Sequence, residues 1–176
     1  MNLETKEKIK GWFYKSEPDY FSSFTTLWIA FNAYYKAYYS YRGGDRNFNN
    51  RRGIDKIKES KEHYELVKEL VKKSGDFRRN LRSLAHELKG QPLQNMQNRK
   101  ELKLPEEALD SNSEISSDFY RALVEIIYTI RNNMFHGDKE IVSERDRRLV
   151  ELAYKILHGF MSEIIEGDFA VMRQIK

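Results

Sequence analysis

The stretch "FYRALVEIIYTIRNNMFHG", residues 119–137, predicts the helix around which the rest of the chain is arranged. Apolar side chains recur in it at spacings of three and four, the period of one buried helix face. These side chains are Leu123, Ile126, Ile127, Ile130 and Met134. Gly137 is a typical residue for ending a helix. The stretch therefore predicts a helix from Phe119 to His136 whose last turn carries an arginine, two asparagines and a histidine.

The same helical spacing recurs in three other segments, residues 24–38, 77–88 and 149–164. Shorter amphipathic helices are predicted after Thr5 and in "HYELVKELVKK", residues 63–73. No segment alternates with period two for long, and no internal repeat divides the chain. The sequence therefore predicts an all-α fold, a single-domain bundle of about six helices over residues 1–176.

Helix ends are marked by two kinds of residue. N-caps for the Phe119 helix are offered by Asn112, Ser113, Ser116 and Ser117, and Ser143 can cap a helix that starts at Glu144. Glycines are expected where helices end, and the candidates are Gly75, Gly90, Gly137 and Gly167.

The composition is that of a folded domain with a full core. Of 176 residues, 40% are hydrophobic and 33% are charged, which excludes a disordered chain and favours one domain. Nine glycines and three prolines are too few for an all-β fold, which needs many turn residues. The chain has no cysteine, so it can form neither a disulfide nor a thiolate metal site.

The charge and the hydropathy pattern bound the location and the partners. The first residues, "MNLETKEKIKGW", lack the apolar core of a signal peptide, and no apolar run approaches the roughly 20 residues of a membrane span. We therefore expect a cytoplasmic protein with no membrane partner. A net charge of +4 and a pI of about 9.1 permit binding to a polyanion without requiring it.

A helical wheel at about 100 degrees per residue separates the polar side chains of the Phe119 helix from its core stripe. Asn132 and His136 share a face with Glu125 and Thr129, nearly opposite the stripe. The wheel therefore predicts that this face lies outside the core. Arg131 points about 140 degrees away from His136.

A minor apolar stripe runs beside Arg131. It consists of Val124, Tyr128 and Phe135 and lies off the main core stripe. Such a flank needs a partner, either another helix of the same chain or the same helix of a second copy.

The residue types at the helix end suit phosphoryl chemistry. Histidine titrates near neutrality and can move protons, whereas arginine stays charged and holds phosphate oxygens. A helix C-terminus favours the protonated imidazole of His136, and the amide of Asn132 can orient either the histidine or a substrate. The alternative is a plain helix terminus, in which Arg131 and His136 only balance the helix dipole.

The residues "IRNNMFHG" resemble the signature of HEPN domains, an arginine followed by a polar residue and, four to six residues on, a histidine. The matching positions here are Arg131, Asn132 and His136. "YTIRNNMFHGDKE" is similar to the variant of the HEPN subgroup called Apea-like. "FTTLWIAFNAYY" resembles the first long helix of that subgroup, and Asp146 with "RLVELAYKILHGFM" resembles a later one, so the resemblance spans residues 24–160.

The resemblance implies a helical bundle that dimerises through the motif-bearing helices and forms a composite site. It implies a metal-independent ribonuclease of the toxin–antitoxin or defence type, with RNA as substrate and an antitoxin protein as a further partner. By this analogy His136 transfers protons, Arg131 stabilises transition-state charge and Asn132 supports them. The alternatives are a non-catalytic HEPN module that binds RNA, nucleotide or a protein, and a plain helical dimerisation domain.

The remaining candidates for a functional site are two long connections and three histidines. "YRGGDRNFNNRRG", residues 41–53, is predicted to be a loop in which Arg42, Arg46, Arg51 and Arg52 follow an RNA backbone, or else a solvated loop without a ligand. Residues 90–114 form a second connection, either functional or mobile. His63, His86 and His158 lack the spacing of metal ligands, so we predict no metal and no cofactor.

Overall fold

The computed structural model of the chain is an all-α bundle, as the sequence predicts. It describes residue 5 and residues 18–43, 49–95, 98–105, 114–135 and 143–174. The elements within these ranges are α1 (Tyr20–Gly43), α2 (Asn50–Glu59), α3 (Lys61–Lys73), α4 (Gly75–Gly90), β1 (Leu93–Gln94), β2 (Glu101–Leu102), α5 (Ser117–Phe135) and α6 (Glu144–Gln174). The short helix predicted after Thr5 lies outside the described residues.

The core forms where the predicted apolar stripes meet. Helix α6 packs against α1, α3, α4 and α5, so it is the element that joins the bundle. The four predicted stripes all contribute fully buried side chains, for example Phe24, Leu84, Ile126 and Ala153, each 0% exposed. The hydrophobic effect on these stripes therefore sets the helix packing.

The N-caps of the last two helices are confirmed. Ser116 Oγ accepts a hydrogen bond from the backbone N–H of Phe119 at 3.1 Å, which starts α5. Ser143 Oγ accepts one from the N–H of Asp146 at 3.1 Å, and the Asp146 carboxylate accepts one in return from the N–H of Ser143 at 3.3 Å. This reciprocal pair is a capping box and fixes the start of α6.

Two of the predicted glycine stops are confirmed and one is wrong. Helix α3 ends at Lys73, directly before Ser74 and Gly75, and α4 ends at Gly90, but Gly167 lies inside α6, which continues to Gln174. The break before α4 comes from Ser74, whose hydroxyl oxygen accepts a hydrogen bond from the N–H of Phe77 at 3.2 Å and so starts the new helix. Glycine permits a helix stop but does not impose one, and packing of the flanking turns decides.

The connection at residues 90–114 contains an element that the sequence analysis did not predict. Strands β1 and β2 pair antiparallel, with Leu93 opposite Leu102 and Gln94 opposite Glu101. Leu93, Leu102 and Leu104 are buried and fasten this hairpin to the helices. The connection is therefore partly a structured hairpin rather than a plain loop.

Across the residues that the structure describes, no helix is both long enough and apolar enough to cross a bilayer.

Candidate functional site at the end of helix α5

Helix α5, which carries the motif, is enclosed by the rest of the bundle. Its described side chains are buried or half-buried except for Ser117, Asp118 and Arg121 at its N-terminal end. It contacts α2, α6, α3 and β1. Arg131 and Asn132 of the motif therefore sit at the end of an interior helix and not on a surface helix.

The prediction that the face of Thr129 and Asn132 lies outside the core is wrong. Thr129 is 0% exposed and Asn132 is 6% exposed, and both count among the buried polar residues. The wheel identified the most apolar face correctly but treated α5 as a helix with one packed side. In the bundle, α2 packs along the turn of Glu125 and the hairpin contacts the turn of Asn133, so the polar face is covered as well.

The Arg131 side chain is held by two neighbours. Its Nη1 donates a hydrogen bond to Asn132 Oδ1 at 3.0 Å. Its guanidinium carbon lies 5.8 Å from the centre of the Trp28 ring on α1, within the range of a cation–π contact. Arg131 is half-buried, so its charge is positioned before any ligand arrives.

Two residues of the minor apolar stripe beside Arg131 pack against other parts of the same chain. Val124 and Tyr128 pack against the core, and the Tyr128 ring lies 6.0 Å from the Trp28 ring, centre to centre. Of the two predicted partners, a helix of the same chain is therefore the one that covers Val124 and Tyr128. The side chain of Phe135 lies outside the described residues.

A charged cluster connects α2 to the middle of α5. The two carboxylate oxygens of Glu125 accept hydrogen bonds from Arg51 Nη1 and Lys58 Nζ, each at 2.7 Å. Burial by itself raises the pKa of Glu125, but the bonds from Arg51 and Lys58 outweigh it and leave this pKa below its usual value. Glu125 is therefore an ion-pairing residue and not a proton donor near neutral pH.

Several buried polar atoms of α1 and α5 have no hydrogen-bond partner among the described residues. They are Trp28 Nε1, Asn32 Oδ1, the Tyr35 hydroxyl and Thr129 Oγ1. Burial raises the pKa of Tyr35 to about 12; Tyr128 adds to the rise and the charge of Arg131 opposes it. Each orphaned atom costs about 1–3 kcal/mol, and such costs are often found at functional sites.

The other predicted site residues divide into two groups. His136 and Arg46 lie outside the described residues, as does the side chain of Arg42, whose backbone is in the last turn of α1. Arg51 and Arg52 belong to α2 and not to a loop, because Asn49 Oδ1 accepts a hydrogen bond from the N–H of Arg52 at 2.9 Å and caps this helix. Of the motif, the described structure brings together Arg131 and Asn132.

The hairpin is the neighbour that sequence reasoning missed. Asn133 Nδ2 donates a hydrogen bond to the backbone oxygen of Gln94 at 2.9 Å, and Arg145 of α6 donates one to the backbone oxygen of Gln91. The available signal was the short alternation in "ELKL", residues 101–104, whose leucines are buried and whose charged residues are exposed. Four residues are too few to stand out against the helical period of the chain.

The described residues offer no arrangement of three His, Asp or Glu side chains that could hold a metal ion. In comparisons with protein-family models, with curated proteins and with solved structures, nothing matches this chain.

Proposed function

We propose that the protein is a metal-independent endoribonuclease of the HEPN toxin or defence type, acting on RNA in the cytoplasm. One observation carries the proposal. A half-buried arginine and a buried asparagine, Arg131 and Asn132, are joined by a hydrogen bond at the end of an interior helix, and Asn132 is four residues before His136 in the sequence. A plain helix terminus does not need a buried amide to orient a guanidinium group.

The proposed reaction is a transesterification within the RNA. The ribose 2′-oxygen attacks the adjacent phosphorus, the bond from phosphorus to the 5′-oxygen breaks, and the products are a 2′,3′-cyclic phosphate and a free 5′-hydroxyl. His136 moves the proton between these oxygens, since imidazole titrates near neutral pH. Arg131 stabilises the charge that develops on the phosphoryl oxygens.

Preorganisation supports the role of Arg131. Electrostatic stabilisation is strongest where the charged group is already oriented and partly shielded from water. The bond to Asn132 and the Trp28 ring supply this orientation. Asn132 is then a positioning residue that acts through Arg131.

The proposed homodimer makes contact at the C-terminal end of α5 rather than along its length. The flanks of α5 are covered by α1, α2 and α6 of the same chain. The half-buried side chains of Arg131, Asn133 and Met134 remain at this end for a second copy to approach. An antitoxin protein that covers the same end would silence the enzyme.

Cleavage of end-labelled single-stranded RNA in the presence of a chelator tests the proposal. The wild-type chain should produce fragments that end in a 2′,3′-cyclic phosphate, identified by mass, and its expression should slow growth. His136→Ala and Arg131→Ala should lower the rate by at least about 100-fold, the scale of losing proton transfer or oxyanion stabilisation. Arg121→Ala, which removes an exposed arginine from the other end of the same helix, is the matched control and should cleave normally.

Two results would count against the enzyme. If the wild-type chain leaves RNA whole with chelator and with added divalent metals, the proposal is wrong. If it binds RNA without cutting it, the chain is a non-catalytic binding module. Thermal unfolding of Arg131→Ala is measured in parallel, because an unfolded variant would lose activity whatever the role of Arg131 in catalysis.

A further inference from the structure

The hairpin beside the motif presents a fixed charged surface. Leu93, Leu102 and Leu104 point into the core at 6%, 8% and 4% exposure, so the alternating side chains between them point outwards. Two contacts fix its position: Asn133 of α5 to the backbone of Gln94, and Arg145 of α6 to the backbone before β1. The outward face is therefore held next to the end of α5.

The outward face carries three cations and one acid. Arg99, Lys100 and Lys103 are exposed, and Glu101 lies between them. None of the three cations makes an ion pair with any residue that the structure describes. Several lysines of α3 behave differently, since Lys72 pairs with Glu114 at 3.0 Å and Lys73 with Glu163. The hairpin charge is therefore not compensated within the described structure.

The backbone of Arg99 adds an independent observation. Its φ is 54°, the left-handed region that a side chain with a Cβ rarely adopts. The turn is kept in this shape by hydrogen bonds from the N–H of Arg99 to Asn95 O at 2.8 Å and from the N–H of Asn95 to Lys100 O at 2.9 Å. An arginine in a place that favours glycine costs about 1 kcal/mol or more, and such strain clusters at functional sites.

Electrostatics indicates what kind of partner the exposed cations of the hairpin bind. The C-terminal end of α5 carries the negative pole of the helix, about half an elementary charge, which repels phosphate groups. An RNA strand that brings its scissile phosphate to Arg131 therefore needs further cations beside that helix end. We infer that the hairpin cations Arg99, Lys100 and Lys103 bind the phosphate backbone of single-stranded RNA flanking the cleaved bond; this rests on the proposed function.

Binding as a function of salt concentration measures these contacts. The probe is a fluorescent single-stranded RNA of 20 nucleotides, and the protein is the full chain with His136→Ala to prevent cleavage. The hairpin variant adds Arg99→Gln, Lys100→Gln and Lys103→Gln. Each lost phosphate contact should lower the slope of log Kd against log salt by about 0.7, so three should lower it by about 2. Between 50 and 200 mM salt the loss of affinity should then be roughly 20-fold smaller than for the parent.

A matched control removes three exposed cations, one each from α2, α3 and α5, that lie near the opposite end of α5. It carries Lys56→Gln, Lys61→Gln and Arg121→Gln, and it has the same net charge as the hairpin variant. Tyr120 donates a hydrogen bond to Ile57 O at 2.7 Å, which places these residues near the N-terminal half of α5, about 16 Å along the helix from Arg131. The slope of log Kd against log salt for this control should differ from that of the parent by less than about 0.7, the value for one phosphate contact.

The outcomes separate the two proposals. A smaller slope in the hairpin variant alone supports the inference. Equal slopes in the parent and the hairpin variant overturn it. In that case, cleavage of RNA by the wild type would still support the proposed function. An equal decrease in slope in both triple variants also overturns the inference, because net charge would then explain the binding. A parent that binds no RNA overturns the inference together with the proposed function, and binding of an acidic protein in its place identifies the hairpin as a protein-binding surface.

Discussion

Replacing Glu125 with glutamine should destabilise the fold by about 2 kcal/mol at pH 7. The carboxylate is 15% exposed and accepts hydrogen bonds from Lys58, itself 21% exposed, and from Arg51, which is 46% exposed. A hydrogen bond to a charged and largely buried partner contributes about 1.5 kcal/mol or more, whereas a pair open to solvent contributes about 0.5 kcal/mol. Glutamine keeps the volume but removes the charge, so most of this sum is lost.

The assay is unfolding of wild type and Glu125→Gln by urea, which gives the free energy, and by heat, which gives Tm, at several pH values. For a chain of this size, 2 kcal/mol corresponds to a fall in Tm of about 4–8 °C. The ion pairs hold the pKa of Glu125 below its usual value. Their contribution is therefore complete above the unfolded pKa of about 4.3 and is lost as the pH falls through the lower folded pKa. The difference between the two proteins should shrink below pH 4.

Two further variants make this prediction specific. In double-mutant cycles with Glu125→Gln, Lys58→Gln should show the larger coupling and Arg51→Gln the smaller, because solvent screens the more exposed arginine. Glu69→Gln, at a glutamate that is 61% exposed, should change the free energy of unfolding by less than about 0.5 kcal/mol. The reasoning is refuted if Glu125→Gln is neutral at pH 7 or equally destabilising at pH 7 and pH 3.5.

Two more changes test the interior of the bundle. His63 is 2% exposed, hydrogen-bonds the Tyr34 hydroxyl at 2.7 Å, and has its pKa lowered by burial, against which the charge of a neighbouring glutamate acts weakly. The contribution of neutral His63 to the free energy of unfolding should be complete above pH 6.5 and fall by up to about 1.4 kcal/mol per pH unit below it. The difference in stability between wild type and His63→Gln should therefore shrink between pH 7 and pH 5, and a constant difference contradicts this. Tyr120→Phe removes a buried hydrogen bond to Ile57 O, which still accepts one from the N–H of Ser60 at 3.1 Å. It should lower the Tm by about 2–4 °C, and an unchanged Tm would show that this bond contributes nothing.

Five of the six described helices were predictable because their signal is local; α2 was missed, and its first residues lie in the predicted loop 41–53. An apolar stripe such as Leu149 to Ile164 repeats every three or four residues whatever packs on it. The caps at Ser116 and Ser143 were predictable for the same reason, since their hydrogen bonds span only three residues. The exposed or buried state of a face depends instead on distant elements.

The polar face of α5 illustrates that dependence. Thr129 and Asn132 look like surface residues on a wheel, yet both are buried. Arg51, 74 residues before Glu125, is one of the groups that covers this side of the helix. No pattern within one helix records such a pairing, because its free energy comes from contacts between segments far apart in sequence.

The sequence by itself determined the helices α1, α3, α4, α5 and α6, the caps at Ser116 and Ser143 and the motif of Arg131, Asn132 and His136, because periodicity and spacing are properties of neighbouring residues. Only the tertiary structure decided that α5 is an interior helix, that Trp28 and Asn132 orient Arg131, and that a basic hairpin lies beside it. These facts depend on which faces are removed from water when the whole chain packs. Burial is a property of the assembled bundle and not of any one segment.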